Sequence, residues 1–462
     1  MPDREQESTY ADNGYDAKFE MMTTSPIGRL VCKLAVPTIT IMMVSALYNM
    51  ADTYFVSSLG TSATGAVGIS FSLMNIIQAV GFFFGHGTGN YISRALGAKD
   101  FEDAEKMAAT GFVSAFISGS VIAIIGTVFL GPIAKLLGST DTILPYAMDY
   151  LRYIFLAAPF MVTSFMLNNL LRYQGSAVFG MIGMITGAVL NIVLDPLFIF
   201  VFHMGVAGAA IATAISQVVS CLLLFIVSCR SRGNLRIRIR KFAPSITAYK
   251  EMMRGGFPSL LRQVMMSIST VVLNQSAGNF NDAVIASITI VSRVFLLINS
   301  AIIGFGQSFQ PICGFNYGAG RYDRVKKAFR FCLYLSTGIL LFSSVICFIF
   351  APNIIALFRS DDAEVLQVGI LALRLQCFSS PLLGWTLFIG FLFQTIGQAV
   401  PASILAFARQ GVFLIPLLLI LVPLLGVLGI QLSIPIADIC TFFLSVPLGI
   451  RVFRKNLAET KV

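Results

Sequence analysis

Gly205-Val206-Ala207-Gly208 and Gly426-Val427-Leu428-Gly429 are one phrase written twice, 221 residues apart, and each opens an apolar run of helix length. The same offset pairs Pro37 with Pro258, Gly85 with Gly306 and Gly97-Ala98 with Gly318-Ala319. Pro159 and Gly175 meet Pro381 and Gly397 one residue further on. The chain therefore carries two copies of one unit. Parallel repeats within a membrane protein build alternating-access transporters, in which two similar lobes rock about a midplane cavity.

Composition supports the membrane reading. Apolar residues make up 56% of the chain and charged residues 12%, with 40 Phe in 462 residues and a mean hydropathy of +0.82. A helix crosses the hydrocarbon layer with about 20 apolar residues. Twelve such spans are predicted, near 28–56, 63–93, 105–131, 142–172, 177–203, 206–229, 248–279, 283–313, 325–351, 363–395, 400–423 and 427–453. The expected fold is an all-α integral membrane protein of two pseudo-symmetric six-helix lobes, 28–229 and 248–453. A polar N-terminal tail (1–27), a basic connector (230–247) and a short C-terminal tail (454–462) complete it. Six spans per repeat is an even number, so the halves run parallel and both termini lie on one side.

Basic residues test that topology independently. Of the 32 Lys and Arg, 25 fall on the side of the termini, eight of them between Arg230 and Arg254, whereas only Lys135 and Arg359 occupy the opposite loops. The positive-inside rule then puts both termini in the cytoplasm of a cell with this protein in its cytoplasmic membrane. It also accounts for the net charge of +10 without nucleic acid. The R-I-R-I-R-K run at 236–241 reads as a solvated connector.

Residues 1–25 are polar and acid-rich with no apolar run, which argues against a cleavable signal and for a mobile tail. The eight Cys include no C-x-x-C and most sit in apolar segments, so neither a disulfide nor a metal site is expected. His86 and His203 are the only histidines and lie far apart. Hydrolase and metalloprotease chemistry lack their parts, and the chain is not expected to be an enzyme.

Polar groups inside the spans are costly unless paired or wet, which makes them functional candidates. Span 1 carries Asn49 and Asp52, three apart. Span 5 carries Asn191 and Asp195, four apart and on one helix face. Asn168-Asn169 ends span 4 and Thr213 lies in span 6. In the second repeat the offset places Leu273 opposite Asp52 and Pro416 opposite Asp195, so the carboxylates are confined to one lobe. An all-oxygen set suits a hard cation such as Na⁺. It also suits protons, which discharge a carboxylate that shares a dry site with another.

The residues resemble the multidrug and toxic compound extrusion (MATE) transporters. The resemblance rests on N-M-A-D-T-Y-F-V-S-S-L-G at 49–60, L-G-A-K-D at 96–100, Q-G-S-A at 174–177, N-I-V-L-D-P at 191–196, M-G-V-A-G-A-A-I-A-T at 204–213 and F-N-Y-G-A-G-R at 315–321. It spans nearly the whole chain and is strongest to the DinF-like and MepA-like bacterial branch. It implies two lobes opening as a V and export of drugs and toxic organic compounds across the cytoplasmic membrane, driven by inward flow of H⁺ or Na⁺. Asp52, Asn168, Asn191, Asp195 and Thr213 are then the coupling-cation site, and Pro37 is the hinge of span 1. No cofactor is expected, and no metal other than Na⁺ at this site.

Tyr48, Phe155 and Met161, with Met266 and Gln275 from the second lobe, are expected to line a soft substrate cavity. Other branches carry acids deep in spans 7 and 10, where this chain offers Asn274 and Gln275, and Trp385 and Gln394. Asp438 is its one deep second-lobe acid, and Arg262, Arg293 and Arg409 offer it a structural ion pair. Expected partners are small organic molecules and the bilayer, with the chain acting as a monomer. The alternative of the same architecture is a flippase for lipid-linked precursors, which would need a cavity rich in cations to hold pyrophosphate.

Overall fold

The computed structural model describes residues 14–230, 233–278, 280–358, 362–455 and 457. Among these residues there are helices and turns and no strand. In chain order the helices are α1 (Tyr15–Thr24), α2 (Ile27–Ser57), α3 (Thr61–Gly97), α4 (Phe101–Val128), α5 (Leu130–Leu136), α6 (Leu144–Tyr173), α7 (Ala177–Pro196) and α8 (Gly205–Arg230). The second half holds α9 (Ile246–Gly278), α10 (Asp282–Gly318), α11 (Tyr322–Ile349), α12 (Ala351–Phe358), α13 (Ala363–Thr395), α14 (Ala399–Phe407), α15 (Ile415–Leu425) and α16 (Val427–Lys455). Twelve helical segments are long and apolar enough to cross a membrane, and they fall where the sequence placed its spans.

Each half is a six-helix bundle around one central helix. α6 packs against α3, α4 and α8, and its counterpart α13 packs against α10, α11 and α16. These are also the most enclosed spans: 83% of the apolar window of α6 and 61% of that of α13 is buried, against 22–44% for the other ten. The repeat is visible in the backbone as well. Gly205 and Gly426 both take positive φ, +57° and +61°, a region open to glycine at little cost. Three residues on, a Cβ at Gly208 would lie 2.8 Å from the Phe198 carbonyl carbon, and one at Gly429 2.2 Å from the Leu421 oxygen. The duplicated phrase is thus a turn followed by close backbone packing onto the preceding segment.

The halves meet on the side that carries the chain ends. A Cβ on Gly87, Gly256, Gly304 or Gly318 would collide with backbone of Met252, Phe83, Ile39 or Arg94, so α3 and α9, and α2 and α10, touch backbone to backbone there. Arg94 adds an ion pair to Glu251 at 3.0 Å and a bond to the Thr395 carbonyl at 2.7 Å. All described hydrogen bonds between the halves lie toward this side.

Two segments differ from expectation. Residues 15–24 are not a mobile tail but a helix docked across both halves. Tyr15 donates to the Leu96 carbonyl, and Lys18 reaches Ser176 at 2.6 Å and the Gly233 carbonyl at 3.1 Å. At its other end, Asn316, Arg321 and Arg324 donate to the free carbonyls of Met22, Thr23, Thr24 and Ser25. The terminal carbonyls of a helix lack partners within it, and three side chains of the second half supply them.

The connector is likewise docked. Its alternation buries Leu235 and Ile237 and leaves Arg236 and Arg238 exposed. Lys241 pairs with Glu105, and the Leu235 N–H donates to Gln174 at 2.7 Å.

Candidate functional site

α7 ends on Pro196, which has no N–H to donate to the preceding turn. The chain continues as a wider π turn over Leu197–Val201, a local geometry frequent at functional sites. Asp195 sits at this junction, fully buried. One turn before it, Asn191 Nδ2 donates to Asp195 Oδ1 at 3.1 Å and to Thr213 Oγ1 of α8 at 3.2 Å. Asp52 is buried on α2, and Tyr150 of α6 donates to its Oδ2 over a long 3.4 Å. The two carboxylates act on each other electrostatically. Tyr48 feels both, and the Tyr150 hydroxyl also reaches Thr213.

The arrangement has an excess of acceptors. Asp52 Oδ1, Asn191 Oδ1 and Asp195 Oδ2 are buried with no donor among the described residues. Among the described residues no Lys or Arg acts on either acid. Unpaired buried charge is expensive, and a cation or proton is what these oxygens lack. The second half contrasts with this: Asp438 receives Arg409 Nε at 2.6 Å and the Ser379 hydroxyl at 3.1 Å, the structural ion pair expected of it. Arg293 is exposed and Arg262 lies elsewhere, so neither joins that pair.

Beside Asn191 and Thr213 a cavity opens in the first half, lined by Tyr48, Phe71, Met74, Met161, Phe165 and Met184 and by the neutral polar groups of Ser45, Asn75, Gln78, Ser216, Gln217 and Ser220. No charged side chain lines it. Soft aromatic and thioether walls with scattered hydrogen-bonding groups suit amphipathic organic molecules.

Of the residues expected at the cation site, Asp52, Asn191, Asp195 and Thr213 come together and Asn168 does not. Its Oδ1 faces Gly180, where a Cβ would lie 2.5 Å away. Gly180 is eleven residues before Asn191, about 16 Å along the helix. α6 runs antiparallel to α7, which carries the end of α6 away from Asp195.

Of the expected cavity residues, Tyr48 and Met161 line it. Phe155 is packed into the core against Gly126, and Met266 and Gln275 are exposed on α9 away from this cavity. The side chain of Asn49 lies outside the described residues. Pro37 lies buried within α2, next to the Thr38–Ile39 backbone that touches Gly304. Sequence reasoning missed Tyr150, Asn75 and Gln78. The last two were within reach of the rule that found Asn191 and Asp195, being amides three apart inside span 2.

The MatE family model matches this chain twice, over residues 37–197 and 258–420. Its copies thus begin at Pro37 and Pro258. The multidrug export protein MepA of Staphylococcus haemolyticus (strain JCSC1435) is 30% identical over 424 residues, covering 90% of this chain and 92% of that protein. Two solved structures are similar over nearly their full length. An outward-facing multidrug resistance MATE family transporter of the MOP superfamily aligns with TM-score 0.88 at 29% identity, covering 95% of this chain and 98% of that one. A MATE in the bent conformation aligns with TM-score 0.89 at 28% identity, covering 96% and 99%.

Proposed function

Since the chain belongs to the MatE family, we propose that it is a cation-coupled antiporter that exports drugs and toxic organic compounds across the cytoplasmic membrane by alternating access. The observation that carries this reading is the cluster of three unpaired oxygens on Asp52, Asn191 and Asp195, beside an uncharged cavity fit for amphipathic molecules. Asp195 and Asp52 hold the coupling charge, Asn191 and Thr213 serve as neutral ligands, and Tyr150 positions Asp52. The coupling ion is H⁺ or Na⁺, and both suit this donor set.

The lobes are residues 28–229 and 248–453, with the ends and the 230–247 connector in the cytoplasm, an orientation that the Lys and Arg distribution supports. On that orientation the halves are closed toward the cytoplasm and part toward the outside. α2 links the site to this closure. It packs against α7 and against α10, with the α10 contact beside Pro37. Neutralising the acids changes how α2 sits on α7, and a bend at Pro37 passes that change to the contact with Gly304. Coupling then requires that cation and drug favour different lobe arrangements.

Dye efflux from proteoliposomes with an imposed Na⁺ or proton gradient tests the proposal. Uphill movement under one of the gradients is expected, and no gradient-dependent movement under either would overturn it.

A further inference from the structure

Arg172 and Arg262 are two cations at the junction of the halves to which the mechanism above gives no part. Arg172 closes the span predicted over 142–172, and its side chain is 2% exposed. It donates to the Gln307 carbonyl at 2.7 Å and to Asn169 Oδ1, lies 4.8 Å from the centre of the Tyr173 ring, and leaves its buried Nε without a partner. Arg262 is half-buried over the Phe391 ring, 5.4 Å from its centre. It makes no described hydrogen bond or ion pair.

The two guanidinium groups repel each other, and the third titratable neighbour besides Tyr173 is His86, whose Nδ1 lies 2.9 Å from the Tyr173 hydroxyl. Among the described residues no Asp or Glu acts on any of the three. Arg262 sits one turn beyond Pro258, just past the place where Gly256 of α9 packs on Phe83 of α3. It is therefore at the floor of the cleft, where the halves begin to part.

We propose that Arg262 and Arg172 form an anion subsite at this floor, which takes the carboxylate of a zwitterionic organic compound during transport. An unpaired cation within a span is costly and marks a binding path, and guanidinium forks match carboxylates in shape and charge. The subsite is separate from the acid cluster. Tyr150 and Arg172 stand at opposite ends of α6, about 33 Å apart along the helix. The inference rests on the transporter reading and names the substrate class it admits: compounds carrying an anion as well as a cation.

Rhodamine 110, with a free carboxylate, and rhodamine 123, its methyl ester, separate the two charges on one ring system. Fluorescence anisotropy on the purified full chain reads binding without a gradient. Arg262→Gln is expected to weaken rhodamine 110 by about tenfold or more, the scale of losing one partner of a buried charged contact. It should leave rhodamine 123 unchanged, and Arg262→Lys should keep part of the rhodamine 110 affinity.

A wild type that does not bind rhodamine 110, equal weakening of both dyes, or no change in either would overturn the subsite. Failure of the wild type to move rhodamine 123 under any gradient would instead sink the transport reading, which the binding data do not depend on.

Discussion

Asn191 donates to Asp195 Oδ1 at 3.1 Å across a single turn of α7, and the same nitrogen lies 3.2 Å from Thr213 Oγ1 on α8. One amide thus fixes the carboxylate and ties two helices together. Asp195 Oδ2 and Asn191 Oδ1 are buried with no donor among the described residues.

Asn191→Ala removes both bonds and strands Asp195 Oδ1. Loss of a buried hydrogen-bonded group costs about 1–3 kcal/mol, so the variant should fold with a lowered melting temperature in detergent. Gradient-driven dye efflux should fall but persist, because a neutral ligand is lost and the charge stays. Efflux at the wild-type rate would remove Asn191 from the site.

Tyr150→Phe deletes the one described donor to Asp52. With that donor gone, the carboxylate holds a cation more tightly. Half-maximal transport should be reached at a lower concentration of the coupling cation. An unchanged cation dependence would reduce Tyr150 to a packing residue.

Lys18 lies outside the spans, and burial pushes its ammonium down to about 7 from the ordinary 10.5. Between those values the undocked α1 binds a proton that the docked helix does not. Docking should therefore strengthen as pH rises from about 7 toward 10.5, and stay level below 7. Hydrogen exchange of residues 15–24, corrected for intrinsic rates, reads this directly. Docking that stays level over the same range would mean that Ser176 and the Gly233 carbonyl hold a charged ammonium.

Cysteines placed at Ser58 and Arg238, both exposed, on a chain freed of its own eight Cys, test the orientation. A membrane-impermeant reagent added outside should label position 58 and miss 238. Position 235 would be a poor probe, because Leu235 is buried. The reverse pattern of labelling would invert the topology and with it the direction of transport.

Much of this was legible in the sequence because hydropathy and helical spacing are local. Twelve spans, the offset repeat and the Asn191–Asp195 stripe need only periods of 3.6 residues and a count along the chain. Asn168 joined the expected set through the family resemblance, and its distance from Asp195 is set by the register between antiparallel neighbours, of which spacing within one helix says nothing. Tyr150 was invisible for another reason: one aromatic among many in an apolar span carries no mark of the carboxylate it will meet. The docking of α1 depends on Arg321 and Arg324, some 300 residues away in the chain, and no local pattern encodes such a contact. Arg172 is the last residue of a predicted span, where a cation reads as a group bound for water. Only the packing of α6 against α10 shows that it points into the junction.

The central claim is that Asp195 carries the coupling charge, and Asp195→Asn tests it most directly. The substitution keeps the size and most of the hydrogen bonding but removes the titratable carboxylate. In proteoliposomes with matched protein content and wild-type dye binding, the variant should lose Na⁺- or proton-driven efflux. Efflux at the wild-type rate under either gradient would contradict the account and move the coupling charge away from this cluster.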